Sequence, residues 1–79
     1  MRQKTKKSII TFHTTTGAMA MEKYCKAQKL PGRLIPVPGQ ISAGCGMCWA
    51  AEPEYGDRLY RAASAAGFDI QKYYKSIWI

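Results

Sequence analysis

Two prolines two positions apart, Pro36 and Pro38, close the run Arg33-Leu34-Ile35-Pro36-Val37. Proline has no N–H to give to a ladder, so a strand that carries it belongs at the edge of a sheet. That single restriction limits how the remaining segments can pair. Ser8 to His13 is short, β-branched and aromatic, and reads as a first strand. Thr14, Thr15 and Thr16 offer capping hydroxyls, and Ala18 to Lys29 reads as a helix with Ala18, Met21 and Cys25 on one face. Glu22 and Lys26 stand at i,i+4 spacing within it, and Pro31-Gly32 marks its stop.

Gly39 to Gly46 is a glycine-rich loop. Met47 to Ala51 is read as a third strand, although so short an apolar run also fits the start of a helix. Pro53 suits the first turn of a second helix, whose apolar face is Tyr55, Leu59, Ala62, Ala63 and Ala66, with Gly67 as its cap. A last strand is clearest over Tyr73 to Ile79. The order is β-α-β-β-α-β. It predicts an α+β, ferredoxin-like split β-α-β: a four-stranded antiparallel sheet, strand order 4-1-3-2, with both helices on one face. The proline-bearing second strand then falls at an edge, as it must.

That topology puts the end of the first strand, His13, beside the start of the third, where Cys45 and Cys48 lie. The first helix begins at the same rim, so the backbone N–H groups of Thr14, Thr15, Thr16 and Gly17 converge there too. A thiolate is the reactive form of cysteine, and a helix N-terminus or a protonated imidazole favours it. Gly44 and Gly46 flank Cys45 and let amides turn inward as an anion-holding nest. Cys45 is therefore the expected nucleophile, Cys48 the resolving thiol and His13 the proton-moving group. The pair can close a disulfide or pass a persulfide sulfur between its members. The motif precedes a strand, whereas the thioredoxin-type motif opens a helix, so thioredoxin activity is not expected.

Competing readings share these residues. Two small semi-buried cysteines beside a glycine turn need no chemistry at all. Zinc could be held by Cys45 and Cys48, completed by Cys25 and His13, or shared across a dimer; Cys25, two turns into the helix, reaches the rim poorly. A small basic binding module, for nucleic acid or as a dimeric regulator, is the alternative outside covalent chemistry. There Phe12 and Trp49, on the first and third strands, would stack bases. The run Gly44 to Trp49 does not match the RNA-recognition signature, so ordinary core packing is preferred for both rings.

Composition sets the outer limits. Seventy-nine residues make one domain, and 47% apolar with 22% charged residues suits a globular chain. Twelve Lys and Arg against five Asp and Glu give +7, and Arg2, Lys4, Lys6 and Lys7 supply four of the twelve. Residues 1–7 are read as a flexible basic arm and 8–79 as the folded unit. A core this small contributes roughly 3–5 kcal/mol of net stability, which favours a homodimer. No apolar run approaches membrane-spanning length, and Ile9-Ile10 and Phe12 are too interrupted for a signal peptide, so a cytoplasmic protein without a membrane partner is expected. Scarce acids exclude Ser-His-Asp and paired-carboxylate chemistry, and no phosphate-binding glycine motif is present.

Ile10-Thr11-Phe12-His13, Ala18-Met19, Glu22, Gly32-Arg33-Leu34-Ile35-Pro36-Val37-Pro38, Ile41-Ser42 and Cys45-Gly46 together resemble a selenium/sulfur carrier protein-like family. Its members are small bacterial domains of unknown function. The likeness runs from residue 8 to the C-terminus and is strongest over 33–46. It implies a β-α-β-β-α-β fold and a carrier role for Cys45; Cys48 matches a position where the second cysteine is not always found. The basic start and Ala50 depart from the pattern. The expectation is a carrier and not a turnover enzyme: it has no cofactor, takes sulfur or selenium from a desulfurase-like donor protein, and passes it to an acceptor protein.

Overall fold

The structure, a computed structural model, describes residues 5–41 and 46–78. Its elements run β1 (Lys6–Phe12), α1 (Thr15–Gln28), β2 (Arg33–Pro36), β3 (Met47–Ala51), α2 (Pro53–Ala65) and β4 (Ile70–Trp78). The strands form one antiparallel sheet in the order β2-β3-β1-β4, which is the ferredoxin-like arrangement. Pro36 stands on the edge strand β2, as the missing N–H requires. Met47–Ala51 is strand and not helix, because it pairs on both sides, with β1 and with β2.

Alternation along the central strands sorts the apolar side chains into two layers. Ile10, Phe12, Trp49 and Ala51 face the helices and pack on Ala18, Met21, Cys25, Leu59 and Ala63. Ile9, Cys48 and Ala50 point the other way and form a second layer with Ile41. Burying each large side chain stabilises the fold by roughly 1.5–3 kcal/mol before entropy is charged against it. The second layer is covered by the chain's own segment: Val37 N–H donates to Gly46 C=O at 3.0 Å, and Ile41 N–H to Pro38 C=O at 2.9 Å. Ile41 is thereby folded onto the sheet face that the helices leave bare.

Helix boundaries follow from local chemistry. Thr14 is the N-cap of α1, its Oγ1 accepting from Gly17 N–H at 3.1 Å, so the helix starts three residues before Ala18. It ends at Lys29, whose left-handed backbone (φ 56°) turns the chain and lets Leu30 N–H donate to Cys25 C=O. The end at Lys29 is where the sequence reading put it, just ahead of Pro31-Gly32. Glu22 and Lys26 form no ion pair in the described residues.

α2 meets the sheet through Gly56, Leu59 and Ala63, while Tyr55 and Ala66 lie exposed. Gly56 takes the place expected of Tyr55 because the helix passes too close to Ser8 and Tyr73 for any side chain there.

The boundary between arm and folded unit is also corrected. Lys6 and Lys7 belong to β1, paired with Trp78 and Ile77, because β4 begins at Ile70 and is long enough to reach them. Lys7 further pairs with Glu52. Among the described residues, no helix is long and apolar enough to cross a membrane.

Candidate functional site

The β1–β3 register sets the rim. Thr11 stands opposite Cys48, and two residues further the same antiparallel count reaches His13 on one strand and Gly46 on the other. His13 is exposed, and its backbone N–H donates to Asp69 C=O at 3.2 Å. Thr14 follows at once as the cap of α1, so the helix N-terminus stands at this end of the sheet. Thr14, Thr15 and Thr16 are exposed, whereas Gly17 is buried.

Gly46 is exposed, has a left-handed φ of 77°, and no atom of the described residues lies within 4 Å of where a Cβ would project. Cys45 is joined directly to it; Cys45 and Gly44, both part of the expected site, lie outside the described residues.

Cys48 is placed differently from a thiol ready for exchange. It shares a rung with Ile35 and Thr11, is fully buried, and belongs to the layer of Ile9, Ile41 and Ala50 on the helix-free face. Alternation is the reason: Trp49, its neighbour, needs the helix-facing side, where its indole N–H donates to Pro31 C=O at 3.2 Å. Cys48 must then face the other way, beneath Ile41.

Cys25 lies on the opposite side of the sheet, in the helix-facing layer. Burial pushes its thiol up to about 11, so it is a neutral core group at physiological pH. With Cys25 and Cys48 on opposite faces, the four-ligand zinc set of Cys45, Cys48, Cys25 and His13 cannot form around one ion. Among the described residues, no three of His, Cys, Asp and Glu gather as a metal site.

Phe12 and Trp49 are also settled by their faces. Both are core residues packed on the helices, so neither is on an open sheet face where a base could stack.

Asp69 is the residue that sequence reasoning passed over. Its carboxylate accepts from Thr14 Oγ1 at 3.4 Å, and its Cβ lies 3.3 Å from where a Cβ on Gly17 would be. A negative side chain therefore already faces the first turn of α1, the position assigned to an incoming anion. A signal for it was available: β4 lies beside β1, and Asp69 precedes Ile70, the register partner of Phe12.

Over residues 7–75 the chain matches the model of a family described as "Putative Se/S carrier protein-like". No curated protein and no solved structure matches it. The match covers nearly all of the sheet and both helices, from the second residue of β1 into β4, and includes the rim at His13 and Gly46. The chain belongs to the Se/S carrier protein-like family.

Proposed function

We propose that this protein carries sulfur or selenium on Cys45, as a persulfide or selenosulfide received from a desulfurase-like donor protein and handed to an acceptor protein. Family membership is the observation that carries the reading. The exposed Gly46 beside Cys45 and the exposed His13 at the same end of the sheet support it.

In the loading step the Cys45 thiolate attacks the terminal sulfur of the donor's persulfide. The new S–S bond forms as the donor's S–S bond breaks, and the donor leaves as a thiolate. His13 takes the proton from the Cys45 thiol before the attack. Thr16, Gly44 and Gly46 are left to supply the groups around the anion: the Gly17 N–H is already given to Thr14 Oγ1, the Thr14 hydroxyl is engaged with Asp69, and Asp69 opposes the same charge from the α1 terminus. Cys48 serves release only once Ile41 has withdrawn from above it. Its attack on the sulfur of Cys45 then closes a Cys45–Cys48 disulfide and expels hydrosulfide or hydroselenide to the acceptor protein, and a dithiol reductant reopens the disulfide before the next loading.

The test is direct. The reduced protein is incubated with a cysteine desulfurase and cysteine, and its intact mass is measured without reductant. The expected result is one added sulfur on the wild type and none on Cys45→Ser; no addition, or equal addition to both, refutes the proposal.

A further inference from the structure

At the opposite end of β3 from Gly46, a half-open cavity of about 280 Å³ lies between the starts of β2 and β1. Its floor is apolar, from Ile35 and Ala50, and its rim carries Lys7, Arg33 and Glu52. Three features make this more than a dent between strands.

The first is charge. Lys7 Nζ is paired with Glu52 Oε1, which cancels both. Arg33 is exposed and, among the described residues, has no carboxylate partner. The cavity is left with one uncompensated positive charge, on the side chain whose planar fork binds carboxylates in pairs of hydrogen bonds.

The second is rigidity. The wall at Pro31-Gly32 is pinned by the Trp49 indole N–H on Pro31 C=O. Gly32 has φ 111°, and any Cβ there would lie 2.7 Å from Ala50 C=O and against Trp49 Nε1. Only glycine can hold this approach, so the segment that presents Arg33 is set before any ligand arrives. Preorganisation of this kind lowers the ordering cost of binding.

The third is the floor. Ile35 and Ala50 are register neighbours on the helix-free face, Ala50 opposite Arg33 and Ile35 two residues along β2. A ligand held at Arg33 by a carboxylate would lay a short apolar chain along them.

We infer that this cavity is a second binding site, separate from the rim that holds His13 and Gly46, and that it takes a small organic monocarboxylate. The carboxylate pairs with the Arg33 guanidinium, the aliphatic body covers Ile35 and Ala50, and the Lys7–Glu52 pair closes one side. An inorganic anion would satisfy Arg33 and leave the apolar floor wet.

The experiment is a titration of the full, ¹⁵N-labelled chain, followed through amide and arginine side-chain shifts at constant ionic strength. The probes are butyrate, inorganic phosphate and butylammonium. Butyrate is expected to saturate in the millimolar range, about 1–10 mM for so small a ligand, with shifts centred on Gly32, Arg33 and Ala50. Arg33→Gln should weaken it about tenfold or more, and Arg33→Lys, which keeps the charge but not the fork, by less. Arg33 is exposed, so both variants should keep the wild-type spectrum elsewhere. Butylammonium should cause no saturable shift. The inference is overturned if butyrate does not saturate, if Arg33→Gln binds it as well as the wild type, or if phosphate binds equally at the same residues.

Discussion

Protection of Cys25 and Cys48 is the property most open to measurement, and for Cys25 its size can be worked from the structure. The perturbation is an alkylation pulse with N-ethylmaleimide at neutral pH on the Cys45→Ser variant, with glutathione as an unprotected reference. Burial raises the Cys25 thiol from 9.0 to about 11, so its thiolate population at neutral pH falls about 100-fold. That fall belongs to the packed state; a thiol exposed by opening regains its ordinary ionisation, so opening and not the raised pKa sets the rate.

Access sets the size of the effect. Cys25 is 1% exposed in the helix-facing core, so the reagent reaches it only when α1 leaves the sheet. For a domain of this size that opening costs roughly 3–5 kcal/mol, a factor of about 10² to 10³·⁵. Because the thiol that reacts is the exposed one, the access factor alone stands, and Cys25 alkylation is expected about 10²- to 10³·⁵-fold slower than glutathione, read by quenching aliquots and mapping the labelled peptide by mass spectrometry. Cys48, 0% exposed, should be slowed by the access factor. Labelling of Cys25 within tenfold of glutathione would refute the packing of α1, and the assignment of Cys25 as a core group with it.

Three further outcomes test other parts of the fold. Ile41→Ala should cost about 2 kcal/mol in a urea melt, the low end for a buried Ile, and should speed Cys48 alkylation while leaving Cys25 nearly unchanged; equal acceleration of both thiols would show that Ile41 is no local cover. Gly56→Ala gains about 0.5–1 kcal/mol of helix propensity, but its Cβ would lie 2.7 Å from Ser8 Cβ, and overpacking costs roughly 1–3 kcal/mol, so net destabilisation by chemical denaturation is expected. Above pH 9 the unfolded Cys25 thiol gives up its proton while the folded one keeps it to about 11, so stability falls as pH rises through that window, by up to roughly 2–3 kcal/mol; Cys25→Ala should flatten that limb of the pH–stability curve, and an unchanged limb would contradict the assignment.

The readable parts of the candidate site were those set by strand order. Once β1 and β3 are neighbours, the ends at His13 and Gly46 must meet, and the α1 cap at Thr14 follows His13 in the chain. The burial of Cys48 was not legible, for a reason of the same kind at finer scale. Its partner rung could be reached from the topology, but which way it faced depended on Trp49, whose large ring and hydrogen bond to Pro31 take the helix side. Asp69 was missed because the last strand is clearest only from Tyr73, whereas β4 begins at Ile70 and so sets Asp69 against Thr14, 55 residues away by chain.

Local chemistry alone determined the element order, the helix seam at Ala18, Met21 and Cys25, and the edge position of the proline-bearing strand, since periodicity and a missing N–H act over a few residues. Only the tertiary structure decided that Ile41 covers the helix-free face, that Gly56 and not Tyr55 makes the α2 contact, and that Cys25 and Cys48 are parted by the sheet. Those outcomes turn on which side chains compete for the same space across strands distant in sequence, and that competition is resolved only when the layers pack.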